Sequence, residues 1–231
     1  GEPDGSHRSR SRQVQARLAR LHRRLRLHAQ EGHQRDRRRG DLAPEVSLES
    51  VPVHQRKIVE LGILHAKPVV VATQVLASMV DSPEPTRAEV SDIASAVVMG
   101  ADCVMLSEET AVGKHPIKAV QTMKKVILYT EHHSAHLQTH EALLHESSRQ
   151  ATICETVLHL ADRLKATAIV AETKSGATAL QIAARRPKMP IIAVTSDHRV
   201  AQQLAIAFSI KSYVRPDSKL AATKLTNWLK T

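Results

Sequence analysis

Several side chains in the first half of this chain stand where oxygen chemistry would need them. Thr73 closes the apolar run at residues 69–72, while Ser107 and Glu109 follow the run at 103–106. Asp41 lies in the stretch Arg39-Gly-Asp-Leu. A carboxylate is a hard oxygen ligand suited to a divalent cation. A hydroxyl at the carboxyl end of a buried strand either bonds the neighbouring strand end or faces a substrate. For Thr73 and Ser107 taken singly, strand-end hydrogen bonding is the simpler reading. A second group is Thr173-Lys-Ser-Gly-Ala-Thr178. Hydroxyls, a lysine and backbone amides at the start of a helix make a phosphate cradle, with plain N-capping by Ser175 or Thr178 as the alternative.

The elements that would position these groups can be read from periodicity. Residues 69–72 and 103–106 are short unbroken apolar runs, the pattern of parallel strands buried on both faces. Between them, Thr86 and Glu89 form a capping box, and Ile93, Ala94, Val97 and Val98 give the following helix its apolar face. Gly100 is placed to end that helix. A helix ahead of the first strand carries Pro52 near its start and Val53, Lys57, Ile58 and Leu61 at helical spacing, with Gly62 and Ala66-Lys-Pro at its end. Pro116 opens another, to about Tyr129. Residues 132–149 read as a polar linker in which His132, His133, His136 and His140 have no need of a metal. Beyond it the spacing predicts a helix at 151–165 with Ile153, Val157, Leu160 and Leu164 on one side, then strand 167–171, helix 176–186, strand 190–195, helix 199–208 and strand 210–214. Alternation of this kind implies helices layered on a parallel sheet.

Composition bounds the classes. Of 231 residues 42% are hydrophobic and only 2% aromatic, so the core is aliphatic. No apolar run approaches the roughly 20 residues of a membrane span, and no signal-peptide pattern is present. Cys103 and Cys154 sit inside apolar patterns without metal-ligand spacing, as buried reduced thiols of a cytoplasmic protein would. The net charge of +10 is concentrated at one end: residues 1–40 hold 12 Arg, no Lys and 4 acids, whereas residues 41–231 hold 21 Lys and Arg against 19 acids. Three readings of segment 1–38 stay open: out-of-frame translation of GC-rich DNA, a solvated disordered tail, and an arginine arm on nucleic-acid phosphates. The lack of interleaved aromatics weighs against the last.

Four motifs share one order and spacing. They are Arg-Gly-Asp-Leu at 39–42, Ala-Thr-Gln at 72–74, Pro-Thr-Arg-Ala-Glu-Val-Ser-Asp at 85–92, and Gly-Ala-Asp-Cys-Val-Met-Leu-Ser-Glu-Glu-Thr-Ala at 100–111. With them, residues 39 to about 229 resemble pyruvate kinase. The resemblance implies an α/β fold: the last part of a (β/α)8 barrel at 39–131, the linker 132–149, and a three-layer α/β regulatory domain at 150–231. It implies phosphoryl transfer from phosphoenolpyruvate to ADP, giving pyruvate and ATP, with Mg2+ or Mn2+ and K+ as cofactors and a homotetramer as the working assembly. By resemblance Asp41 is a metal ligand, the Gly40 and Asp41 amides face the substrate carboxylate, and Thr73 lies at the substrate where the enolate takes its proton. Ser107 and Glu109 support the nucleotide side and the strand-end network. Thr173, Lys174, Ser175, Gly176 and Thr178 match a loop that binds the phosphate of a sugar-phosphate effector. Departures accompany the match. Glu108 replaces a glycine, His115 an aromatic, and Ala43-Pro44 a Gly-Val pair. The Lys-Ile-Glu strand motif that supplies the family's catalytic lysine and second metal carboxylate does not occur. The chain is therefore expected to be an inactive fragment, truncated at both ends. Two alternatives are a non-catalytic sugar-phosphate-sensing module on 150–231 and, less favoured, a nucleic-acid binder.

Overall fold

The computed structural model of the chain describes residues 48–72, 74–134 and 148–216, together with Asn227. The arginine-rich segment 1–38, Gly40, Asp41, Thr73, His136 and His140 lie outside the described residues. Helix α1 (Val51–Leu64) takes Pro52 in its first turn, where no donor is lost. Gly62 does not end it. A Cβ at Gly62 would come within 2.2 Å of Val69 Cγ2, so the glycine is there for close approach, and the turn comes at Ala66 with φ +49°. Strand β1 (Val70–Ala72) pairs in parallel with β2 (Cys103–Met105), Val71 opposite Val104. The crossover carries helix α2 (Arg87–Val98), started by the expected Thr86–Glu89 capping box and closed at Gly100 with φ +85°. Short helix α3 (Glu108–Ala111) and long helix α4 (Pro116–His133) follow, so the first two residues of the expected linker are helical. Residues 135–147 lie outside the described set. Val75, Leu76, Met79, Ile93 and Ala119 form the core of this unit.

The second unit runs α5 (Arg149–Arg163), β3 (Ile169–Glu172), α6 (Ala177–Ala184), β4 (Ile191–Thr195), α7 (His198–Leu204) and β5 (Ile210–Val214). The three strands are parallel in the order β3-β4-β5, and every residue of central β4 is buried. Its core is built largely on alanine: Ala161, Ala171, Ala179, Ala183, Ala193 and Ala207 pack with Cys154, Ile169, Ile182, Ile191, Leu204 and Ile210. Small side chains bring helix and strand backbones close together. This also corrects the expected face of α5. Ile153, Leu160 and Leu164 are exposed, and the helix is buried instead through Ala151, Cys154 and Ala161, whose small side chains let it approach α6. No helix among the described residues is long and apolar enough to cross a membrane.

Asp102 joins the two units. Its carboxylate accepts the amides of Val69 at 2.9 Å and Phe208 at 3.0 Å, and both terminal nitrogens of Arg186, at 3.0 and 3.1 Å. Arg186 also donates to the Gly100 carbonyl and lies over the Phe208 ring, 5.0 Å from its centre. Both side chains of the pair are only 5% exposed. Beside them Cys103 donates its S–H to the Ile206 carbonyl at 3.1 Å, and burial, reinforced by the Asp102 charge, pushes its thiol pKa up. The two cysteines are not bridged.

Removing one partner of a buried, hydrogen-bonded pair leaves the other charge uncompensated, at a cost of about 3–5 kcal/mol. Asp102→Asn and Arg186→Met are each expected to lower stability by about that amount, read from urea midpoints. The double variant is expected to lose less than the two single losses combined. Additive losses would show that the pair does not act as one unit.

Candidate functional site

The carboxyl ends of β1 and β2 are fastened by two acidic side chains. Glu109, 2% exposed, accepts the Leu76 amide at 3.1 Å through Oε1 and the Ser107 amide at 2.7 Å through Oε2. It therefore ties the loop after β1 to the loop after β2. Glu89 ties the loop after β1 to the start of α2. It accepts the Ser78 amide at 2.8 Å and the Ser78 hydroxyl at 2.5 Å, and takes the Thr86 amide and hydroxyl at 2.8 and 2.9 Å. Between Thr73 and these anchors Gln74 holds a left-handed backbone with φ +51°, rare for a residue with a Cβ. Such strain persists only where surrounding contacts fix it, and the two carboxylates supply those contacts.

The expected site residues fall into three groups. Gly40, Asp41 and Thr73 lie outside the described residues. Ser107 is half-buried as the residue before α3, and its carbonyl accepts the Ala111 amide at 3.0 Å. Glu109 is buried with one backbone amide on each oxygen, which places it in the strand-end network. Glu108 is exposed in the first turn of α3, where a helical backbone accepts any side chain and the macrodipole favours an acid. A glutamate in the place of a glycine is therefore accommodated here without a left-handed backbone. Among the described residues no three His, Cys, Asp or Glu side chains gather as a metal-ligand set.

The cradle at 173–178 sits where β3 turns into α6. Thr173 Oγ1 accepts the Gly176 amide at 2.9 Å, closing the loop. Gly176 has φ +82°, and a Cβ there would meet Leu204 Cδ2 at 3.2 Å and Val200 Cγ1 at 3.3 Å. Only glycine fits both the backbone and the space. Lys174 and Ser175 are exposed beside it, and Thr178 is half-buried one residue into the helix. Thr173 and Lys174 line a cavity of about 320 Å³ that extends over the ends of β4 and β5 to Thr195, Ser196 and Arg215. Arg215 did not stand out in the sequence, whereas Glu109 was expected in the strand-end network. Glu89 had one signal, the capping box, which showed the helix start but not the second bond to Ser78.

Two outcomes follow from this geometry. Burial alone would push the Glu89 carboxyl up, but the Ser78 and Thr86 hydrogen bonds overcome it and hold the pKa below the ordinary glutamate value. A depressed folded-state pKa gives stability that is full above the unfolded value and lost as pH falls through the folded one. Stability is thus expected to decline in acid below the ordinary glutamate range, and Glu89→Gln to flatten that part of the pH curve in urea titrations. Gly176→Ala is expected to lower stability by about 1–2 kcal/mol, the cost of a left-handed residue with a Cβ, measured as a drop in the urea midpoint.

Known proteins resemble this chain in sequence and fold. The model of the pyruvate kinase barrel domain matches residues 37–120, and that of the pyruvate kinase alpha/beta domain matches residues 151–230. Pyruvate kinase of Geobacillus stearothermophilus is 43% identical over 180 residues, covering 77% of this chain and 31% of the relative. Pyruvate kinase of Mycobacterium tuberculosis is 40% identical over 179 residues, 77% of this chain and 37% of the relative. A crystal structure of a pyruvate kinase from Cryptosporidium parvum superposes with a TM-score of 0.75 at 35% identity, over 83% of this chain and 40% of that one. The chain thus spans about a third of the length of the curated relatives it matches. With two successive domains matched in order and the same α/β architecture, the chain belongs to the pyruvate kinase family.

Proposed function

We propose that this chain carries the closing strands of the catalytic barrel and the regulatory domain of a pyruvate kinase, whose whole form moves the phosphoryl group of phosphoenolpyruvate to ADP and then protonates the enolate to pyruvate. The observation that supports this most is the strand-end network: Glu109 and Glu89 hold the loop that begins immediately after Thr73, as a substrate-facing hydroxyl requires. In this reading Thr73 stands where the enolate carbon receives its proton, and Gly40 and Asp41 address the substrate carboxylate. Ser107 stands on the nucleotide side. Mg2+ or Mn2+ and K+ belong to the whole enzyme, with Asp41 the one ligand this chain would contribute. The chain by itself lacks the Lys-Ile-Glu motif and is catalytically inert. The whole enzyme works as a cytoplasmic homotetramer.

A second reading has its own support. Thr173, Lys174, Ser175, Gly176 and Thr178 form a complete loop beside a cavity in the second unit. The chain would then bind a sugar phosphate at that loop without turnover.

The test is a lactate-dehydrogenase-coupled assay with phosphoenolpyruvate, ADP, Mg2+ and K+. The 231-residue chain is expected to show no turnover. A chimera in which residues 39–231 replace the matching part of the Geobacillus stearothermophilus enzyme is expected to be active. Thr73→Ala in that chimera should cut kcat by about 10²-fold or more, the usual contribution of a positioned proton-transfer group. A folded chimera without activity would overturn the catalytic reading and leave the sensing one.

A further inference from the structure

A second cavity, of about 610 Å³, lies where the two units meet, and its volume suits a small organic molecule. One wall is the end of α4, with Glu131 and Ser134. The other is formed by Lys188 and by Phe208 and Ser209, just ahead of β5. Asp102 and Arg186 also line the space, and they neutralise each other. Two charges are left. Lys188 and Glu131 do not bridge across the cavity, and among the described residues neither side chain has an ion-pair partner. Glu131 keeps contact with solvent, yet the protein packed around it pushes its carboxyl pKa above the ordinary glutamate value, with burial as the one cause. A cation close by would pull it the other way. Ser134 is the C-cap of α4, and the negative end of an 18-residue helix also favours a cation at this wall. On the opposite wall the fork of Arg186 is already occupied by Asp102 and the Gly100 carbonyl. What remains is the Lys188 ammonium, a point charge with three donors, and the Ser209 hydroxyl, held only by a 3.5 Å bond to the Met189 carbonyl. Such donors suit a tetrahedral anion, whereas a planar carboxylate is best met by a free guanidinium fork.

We propose that this junction cavity binds a small zwitterion, a phosphate monoester of an amino alcohol, with its ammonium group on Glu131 and its phosphate on Lys188. The two charges belong to different units, so the bound molecule spans the junction beside the Asp102–Arg186 pair. Phe208 and Pro187 give the connecting carbons an apolar surface. The site is independent of the catalytic reading and of the 173–178 loop, none of whose residues is among those lining this cavity.

Phosphoethanolamine is titrated into the full chain by calorimetry, beside ethanolamine, methyl phosphate and β-alanine. It is expected to bind about tenfold more tightly, or better, than ethanolamine or methyl phosphate, each of which lacks one charge-assisted contact. Lys188→Gln is expected to reduce its affinity to that of ethanolamine, and Glu131→Gln to that of methyl phosphate. Both side chains are exposed, so these variants should unfold at the wild-type temperature. Lys188→Arg and Glu131→Asp keep the charges and should retain part of the affinity. β-Alanine, with a carboxylate in place of the phosphate, is expected to bind more weakly, and equal binding would overturn the phosphate assignment. Affinity for phosphoethanolamine that is absent, or unmoved by Lys188→Gln and Glu131→Gln, overturns the site. A response to Lys174→Gln alone also overturns it, by putting the phosphate on the 173–178 loop.

Discussion

A carboxylate in a nearly dry place needs every lone pair occupied, and Asp102 meets that need with groups from both halves of the chain. Val69 belongs to the barrel domain, Phe208 and Arg186 to the alpha/beta domain, and all three donate to the same two oxygens. Pulling the units apart would strip the charge of its partners without returning it at once to water. The position is local to both sites. Asp102 immediately precedes β2, whose far end holds Ser107 and the Glu109 tie. Arg186 follows α6, whose far end begins at Gly176. One strand and one helix thus run from the same ion pair to the two places where ligands are expected. The pair has a cost of its own, because the Arg186 Nε is buried with no hydrogen-bond partner and the residue sits at φ +49°.

Acidic side chains elsewhere serve as fasteners. Glu109 and Glu89 spend their oxygens on backbone amides of the loops behind Thr73 and Ser107. This accounts for the presence of carboxylates at a catalytic-looking strand end among residues that do not form a metal set. The acids give shape to the loops through their bonds to backbone amides. Surface pairs such as Lys114–Asp81 and Lys118–Glu84 are exposed and contribute little by comparison.

How far the sequence spoke depended on the range of the signal. The capping box at Thr86, the stop at Gly100 and the strands at 70–72 and 103–105 are local patterns and were readable in the residues themselves. The face of α5 was not, because the rule that large apolar residues mark the core points at Ile153, Leu160 and Leu164, whereas the helix is docked through Ala151, Cys154 and Ala161. Gly62 had the look of a terminator and proved to be a spacer against Val69. The Asp102–Arg186 pair is separated by 84 residues and has no periodicity at all, so only the folded chain brings it to view. Of the site, the 173–178 loop was legible because its residues are contiguous, while Arg215 enters the same cavity from the end of another strand.

The alanine-built core of the second unit bears on how such a sequence can drift. Where Ala179, Ala183 and Ala193 set the spacing between α6 and the sheet, each added methylene must lift the helix or find a void, and close-packed interiors have few voids. Lifting α6 would also raise Gly176 and the amides of the 173–178 loop above the strand ends. Selection on that loop would thus be felt at alanines that never touch a ligand. Divergence in this unit is channelled to outward-facing positions, such as the exposed side of α5, where a change in volume displaces only water.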